Sequence, residues 1–267
     1  MANIPISKAL VAGHDEPAIR TIDLSDLREA LWRGWQDFVE TPTQLLFLGI
    51  IYPVIGLVAA RAAAGGHLLP LFYPLVAGLS IMGPFAALGI YELSRRREAG
   101  QEASWVNAFD VLRSPAIGSI AGLGLFLGIV FVAWLYAAQL VYDLTMGHLP
   151  PPQSVGDFAR QVFDTDAGWR LIVLGNLVGF LFAAVVLTLT VVSFPMLLDR
   201  NVSLAEAVRT SVRAVRANPV MMAVWGLIVA ALLLLGCLPL FVGLAVTMPL
   251  LGHATWHLYR RVVPSGA

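Results

Sequence analysis

Long apolar segments separated by short charged ones are the feature that most constrains this chain. Hydrophobic residues make up 58% of its 267 residues and charged residues only 13%, and the mean hydropathy is +0.78. Roughly 20 apolar residues cross the hydrocarbon core of a bilayer as one α-helix, because no water is present there to hydrogen-bond an open backbone. The sequence therefore predicts an all-α polytopic membrane protein.

The apolar segments predict six membrane-spanning helices. They lie at about residues 44–62, 69–93, 116–141, 170–197, 219–238 and 240–259. The last two come from one apolar run, which the turn-forming sequence Gly236 to Pro239 divides because roughly 40 residues are too many for one crossing. Residues 1–22 are predicted to form a cytoplasmic tail and residues 23–267 a single six-helix domain.

A spacing of Glu-Ala, eleven residues and Pro occurs three times and predicts an internal repeat. The copies are Glu29 to Pro42, Glu102 to Pro115 and Glu206 to Pro219. Each copy is typical of a short amphipathic helix on the cytoplasmic side, followed by a proline that starts the next helix after a Thr, Ser or Asn cap. The six spanning helices are thus predicted to form three pseudo-repeated hairpins, in units of about 23–98, 99–202 and 203–263.

The three amphipathic helices differ in their predicted caps. Ser203 and Glu206 match the capping-box pattern, Asp26 and Glu29 match it less well, and the second copy has no cap in the sequence. In the first of these helices the apolar residues follow a helical period, at Leu24, Leu27, Leu31, Trp35 and Phe38. This face is expected either to lie in the membrane interface, where tryptophan is favoured, or to pack against the protein's own helix ends.

Lysine and arginine fall mainly on one side of the predicted bundle. The tail, the loops after helices two and four and the C-terminus hold fourteen of the 17, and the opposite side holds Arg61, Arg160 and Arg170. Loops rich in lysine and arginine stay in the cytoplasm. Residues 95–113 and 199–217 and both termini are therefore expected in the cytoplasm, and residues 142–169 outside it.

Prolines and polar residues recur together in the even-numbered helices. Each of these helices contains a proline that is predicted to kink it, namely Pro84, Pro195 and Pro249. When the helices are aligned on these prolines, four polar residues fall at similar depth near the cytoplasmic ends and form the candidate polar cluster: Glu92, Asp199, His253 and His257. His253 is expected to point inward, towards Asp199 or a carbonyl freed by a proline. The alternative is that these side chains reach the membrane interface or pair structurally.

The C-terminal half resembles a family of bacterial inner-membrane proteins, the domain of unknown function DUF2189. The resembling segments are Phe194 to Arg200, Asn218-Pro219 and Gly252-His253-Ala254-Thr255-Trp256-His257-Leu258-Tyr259-Arg260. The similarity extends over most of the chain and implies a multi-pass protein of the bacterial inner membrane without an established activity. Some members carry the label cytochrome c oxidase subunit I. Five histidines cannot supply the axial ligands of two haems together with three copper ligands, so this label does not fit the residues.

Three classes of function remain open. A non-enzymatic scaffold or accessory subunit of a membrane complex is favoured, because ionisable residues within the predicted spans are few and peripheral. A carrier or channel for a small solute or lipid is the first alternative, since repeats with kinked helices are typical of transporters. A metal- or haem-binding respiratory component is the second, resting on His253 and His257, which lie on one helical face.

The expected interactions follow from the same residues. The partners are the lipid bilayer and, for an accessory subunit, other membrane-protein subunits, whereas the even charge balance gives no reason to expect nucleic acid. The single Cys237 has no second cysteine with which to form an intrachain disulfide or a cysteine-ligated structural zinc site. No catalytic, cofactor-binding or metal-ligating residue is assigned from the sequence, and no enzymatic activity is expected.

Overall fold

The computed structural model describes residues 17–41, 74–75, 78, 80–239 and 241–264, and within these ranges the regular structure is entirely helical. The α-helices, numbered here in chain order, are α1 Leu24–Glu40, α2 Gly83–Ala86, α3 Leu88–Glu98, α4 Ile117–Met146, α5 Val155–Phe163, α6 Asp166–Thr190, α7 Ser193–Asp199, α8 Leu204–Ala217, α9 Pro219–Cys237 and α10 Leu244–Val262. Two 3₁₀ helices span Ser80–Met82 and Trp105–Arg113. The all-α prediction is confirmed for these residues.

Three of the described helical segments are long and apolar enough to cross a membrane. They are α4, the stretch Asp166–Asp199 that contains α6 and α7, and α9. These match the spans predicted at 116–141, 170–197 and 219–238. The span predicted at 44–62 and most of the one at 69–93 fall outside the described residues. α10 is long enough to cross a membrane but not apolar enough, because His253, His257, Arg260 and Arg261 lie in its second half.

α10 is the helix around which the described part of the chain packs. Its main neighbour is α1, followed by α3 and α9. Trp256 and Tyr259 are fully buried. The amide of Arg20, just before α1, donates to the carbonyl of Val262 at 2.9 Å, and Gly34 meets Ala254. α1 and α10 are therefore antiparallel.

One face of α1 packs on the protein and a second apolar stripe does not. Leu27, Ala30, Gly34 and Phe38 are buried, which agrees with the alternative in which the helix packs against the protein itself. Leu24 and Trp35, which were predicted on the same face, are exposed instead, together with Trp32 and Val39. The physical reason is the size of Ala30 and Gly34. They allow α10 to approach closely, so the contact face is centred on small residues rather than on the tryptophans.

The predicted caps are corrected at two of the three amphipathic helices. α1 begins after Asp23, whose carboxylate accepts from the amides of Ser25 and Asp26, so the capping box lies upstream of the predicted pair. In the second copy Asn107 Oδ1 accepts from the Ser104 amide at 3.0 Å, and the helix that follows is a 3₁₀ helix. The cap at Ser203 is confirmed, since its hydroxyl accepts from the Glu206 amide at 3.2 Å.

The breaks before the spanning helices follow the prediction only in part. Pro219 is the first residue of α9, as predicted, whereas α4 begins at Ile117, two residues after Pro115. Asn218 does not cap α9 with its side chain. It accepts from the Ile22 amide and donates to the Arg20 carbonyl, so it fastens the segment that leads into α1. The break predicted at Pro42 lies outside the described residues.

The three prolines occupy different positions in their helices. Pro249 lies inside α10, as predicted. Pro84 is the second residue of the short helix α2 and therefore begins a helix rather than kinking one. Pro195 is the third residue of α7, downstream of a break at Val191 and Val192.

Serine side chains satisfy the backbone at the break between α6 and α7. The Ser211 hydroxyl of α8 donates to the Thr188 carbonyl at 2.8 Å and accepts from the Val192 amide at 3.3 Å. Ser193 donates to the Leu189 carbonyl. Because a buried carbonyl or amide without a partner is costly, α8 stabilises this interruption in an otherwise apolar helix.

The close contact of α1 with α10 gives a stability prediction. A Cβ on Gly34 would lie 2.6 Å from the Ala254 backbone nitrogen, so Gly34→Ala should separate the helices and destabilise the protein by roughly 1–3 kcal/mol, as overpacking does. Gly175→Ala is the matched control, because a Cβ at this helical glycine of α6 meets no atom within 4 Å. Thermal unfolding in detergent measures both variants. Equal stability of the two would contradict the packing.

Candidate functional site

Three helices meet at the carboxylate of Asp37. Its Oδ1 accepts from Arg97 Nε of α3 at 2.9 Å, and its Oδ2 accepts from Ser94 Oγ of α3 at 2.7 Å. His257 Nε2 of α10 lies 2.8 Å from the same Oδ2. One side chain of α1 therefore holds α3 and α10 together.

Burial and hydrogen bonding act in opposite directions on this carboxylate. Burial by itself would raise the pKa of Asp37, because it disfavours the charged form. Hydrogen bonds from His257 and Ser94, and the electrostatic attraction of His257 and His253, outweigh the burial and lower the pKa to about 2. Asp37 is therefore ionised at neutral pH and accepts hydrogen bonds only.

The ionised state of Asp37 fixes the proton positions around His253. Ser94 has one hydroxyl proton, which it donates to Asp37. His253 Nδ1, at 2.7 Å from Ser94 Oγ, must then be the donor to Ser94. In a neutral ring the proton is thus on Nδ1, and Nε2 carries the lone pair. That nitrogen is buried and has no hydrogen-bond partner among the described residues.

Glu92 and Asp199 lie in a separate cluster at the same end of the bundle. Glu92 accepts two hydrogen bonds of 2.8 Å from Arg95. Asp199 accepts from Arg260 at 2.7 and 2.8 Å and from the Tyr259 hydroxyl at 2.7 Å. Both carboxylates line a groove of about 390 Å³, which is distinct from the surroundings of Asp37.

The structure thus divides the four predicted residues into two pairs. His253 is buried, as expected, but its partner is Ser94 rather than Asp199 or a freed carbonyl. The reason is helical geometry. His253 and His257, four residues apart, face α1 and α3, whereas Tyr259, which meets Asp199, is turned about 200° from His257 at 3.6 residues per turn.

Arg260 joins α10 to α7 and α3. It donates to Asp199 and, at 2.8 Å, to Glu98, which also accepts from Trp256 Nε1 at 3.0 Å. Its guanidinium lies 4.9 Å from the Trp256 ring centroid. The ion pairs of α1, α3, α7 and α10 therefore lie in one polar layer at the end of the bundle.

Sequence reasoning missed Asp37, Ser94 and Arg97. Asp37 lies between the apolar residues of α1, and it continues the row of Ala30 and Gly34 at spacings of four and three residues. Residues three and four apart lie on one helical face, so Asp37 faces the same neighbours as Ala30 and Gly34. Ser94 and Arg97 gave no comparable signal, because the partner that uses them is distant in sequence.

The contacts of Asp37, His253 and His257 hold α1, α3 and α10 together. His257 and Asp37 reach the edge of a second groove, of about 460 Å³, which Trp32 and Arg261 also line. Both histidines already contact Ser94 or Asp37. Among the described residues no group of three or more His, Cys, Asp or Glu side chains is placed to hold a metal ion.

Comparison with known families agrees with the membrane assignment. Residues 72–199 match DUF2189, described as a predicted integral membrane protein. No curated protein and no solved structure matches the chain. The match confirms the resemblance to DUF2189 over residues 72–199, which include Phe194 to Asp199. The string from Gly252 to Arg260, with both histidines, lies beyond it.

The three bonds to Asp37 predict a large effect of removing its charge. Asp37→Asn should leave Arg97 and His257 partly buried without their anion and destabilise the protein by roughly 3 kcal/mol. Glu40→Gln is the matched control, since Glu40 also accepts from Arg97 but its side chain is 61% exposed, and exposed pairs contribute little. Thermal unfolding in detergent measures both. Small and similar losses of stability in the two variants would mean that Asp37 does not hold the helices together.

The low pKa of Asp37 also predicts an acid dependence. Because the pKa falls from 3.8 to about 2 on folding, the stabilisation is complete above the unfolded pKa and is lost as the pH falls from 3.8 towards 2. The difference in melting temperature between wild type and Asp37→Asn should therefore narrow across this range. A difference that stays constant would show that ionisation of Asp37 does not stabilise the fold.

Proposed function

We propose that the protein is a non-enzymatic scaffold or accessory subunit of a membrane complex. The observation that carries this proposal is the position of its charges. Residues 117–142, 171–198 and 219–252 contain no Asp, Glu, Lys, Arg or His, whereas the buried Asp37 and Glu92 lie in the polar layer and are paired. Ionisable groups inside a membrane mark paths for ions and substrates, and these stretches lack them.

We infer the membrane topology from the same layer. Four helix ends lie near the polar layer, as the contacts of Asp199 and Asn218 indicate. They are the start of α4, the end of α7, the start of α9 and the end of α10. This arrangement supports hairpins that begin and end on one side, consistent with six spans in three repeated units. The arginines of the layer support an orientation in which this layer and both termini face the cytoplasm, in a bacterial inner membrane.

The surface of the spanning helices suits contact with lipid and with another subunit. Leu125, Ile129 and Tyr136 of α4 are mostly exposed. On the same helix Gly118 and Gly128 have open space where a Cβ would stand. Exposed small residues let a second helix approach closely within a membrane, which supports an accessory subunit.

A carrier or channel for a small solute or lipid is the second candidate. The break between α6 and α7 and the proline inside α10 favour it, because transporters bind substrates at discontinuous helices. Ser193 and Ser211 bond the groups that this break frees, which weakens the argument. A metal- or haem-binding role has less support still, since His253 and His257 are already engaged with Ser94 and Asp37.

Extraction into native-lipid discs tests the proposal. A scaffold should emerge in a particle larger than the 28.7 kDa chain, with a second membrane protein in fixed stoichiometry. Removing the chain from cells should reduce the amount of that partner. A particle that holds this chain alone, and that conducts ions or moves a solute in sealed vesicles, would contradict the scaffold and support the carrier.

A further inference from the structure

The groove that contains Glu92 and Asp199 is lined by arginines from three parts of the chain. They are Arg95 and Arg96 of α3, Arg113 of the 3₁₀ helix and Arg200 after α7. We propose that this groove, called here the basic groove, binds a phosphate group at the membrane surface. The proposal concerns a ligand site and does not depend on the scaffold role.

The carboxylates of the basic groove leave positive charge uncompensated. Glu92 is held by Arg95 through two hydrogen bonds. Asp110 Oδ2 lies 3.2 Å from Arg96 Nη1, and its Oδ1 lies at the longer distance of 3.6 Å from Arg113 Nη1. The third carboxylate, Asp199, is shared between Arg200, at 3.5 Å, and Arg260, which lies outside the groove. The groove therefore holds four guanidinium groups and three carboxylates, one of which is shared with a fifth guanidinium.

Arg113 and Arg200 keep N–H donors that an anion could use. The Arg113 side chain is 88% exposed. Arg200 donates to two neutral acceptors, the Tyr259 hydroxyl at 3.2 Å and the Pro264 carbonyl at 2.6 Å, and its Nε lies 3.5 Å from Asp199 Oδ2. A guanidinium carries five N–H donors in a planar fork that fits phosphate oxygens. The two side chains are thus suited to a phosphate between them.

The start of α4 adds the positive end of a helix dipole to the arginines. Ser114, Pro115 and Ala116 line the groove, and the helix begins at the next residue. The Ala116 amide donates to the Ser114 hydroxyl at 3.2 Å and the Ile117 amide to the Ser114 carbonyl at 3.0 Å, so these two donors are already used. The positive end of the helix dipole still points towards the N-terminus of α4. An anion in the groove would therefore meet this dipole as well as guanidinium groups.

The depth of the basic groove favours a phosphate that belongs to a lipid. α4 enters its apolar span directly from the groove, so the groove lies at the level of the lipid headgroups. The adjoining 3₁₀ helix exposes Trp105, Phe109 and Leu112, residue types that lie well at the boundary of headgroups and acyl chains. An anionic phospholipid can thus place its phosphate in the groove and its chains beside this helix. Free inorganic phosphate offers the same chemistry without the chains.

Binding to the purified full chain in a neutral detergent distinguishes the two sources. The probes are dihexanoyl phosphatidic acid, dihexanoyl phosphatidylcholine and inorganic phosphate, with titration calorimetry as the measurement. We expect the phosphatidic acid to bind more tightly than the other two. Inorganic phosphate binding as tightly as phosphatidic acid would keep the site but make free phosphate its ligand. If neither phosphatidic acid nor inorganic phosphate binds saturably, the proposal is overturned.

Charge reversal at one exposed arginine tests the location of the site. Arg113→Glu should weaken phosphatidic acid binding about tenfold, because it places a like charge beside the phosphate. Arg160→Glu is the matched control, since Arg160 is also exposed and paired with an aspartate three residues earlier, but lies near the opposite end of α4. Equal weakening by both variants would show that net charge alone drives binding, and would overturn the proposal.

A second variant should act in the opposite direction. Asp110→Asn removes the carboxylate that Arg96 and Arg113 share, so the positive charge of the basic groove rises and binding should tighten about threefold. A general loss of structure would weaken binding instead. Unchanged or weaker binding in this variant, measured beside its melting temperature, would contradict the charge balance on which the site is inferred.

Discussion

The buried carboxylate of Asp37 is the interaction on which the arrangement of α1, α3 and α10 depends. A charge removed from water is tolerated only when donors surround it, and Asp37 receives them from Ser94, Arg97 and His257. These donors come from two helices that are far from α1 in sequence. The cost of leaving Asp37 unpaired therefore selects one position of α1 against the bundle.

The same constraint explains why the second half of α10 tolerates so many polar residues. In a helix facing lipid, His253, His257 and Arg260 would be costly. Here α1 covers the histidines, and α3 and α7 supply the carboxylates for Arg260. The amphipathic helix α1 thus covers the polar segment of α10. Its own outer stripe, with Trp32 and Trp35, stays free to meet the membrane interface.

Membrane class, helical fold and the limits of three spans could be predicted from the sequence, because apolar length is a local property. The small contact face of α1 could not be distinguished from its larger apolar residues, since Gly34 becomes important only when Ala254 lies against it. Aligning helices on prolines gave the correct end of the bundle for Glu92, Asp199 and the histidines. It did not give their partners, because depth in a helix says nothing about the direction in which a side chain points.

The most direct measurement is a double-mutant cycle between Asp37 and His257. Unfolding free energies of wild type, Asp37→Asn, His257→Gln and the double variant would be compared in detergent. If the carboxylate joins α1 to α10 as described, the two changes should be coupled by roughly 1 kcal/mol or more. If the effects of the two single variants on the unfolding free energy sum to that of the double variant within about 0.3 kcal/mol, the account is contradicted. Side chains that share one hydrogen bond cannot act independently.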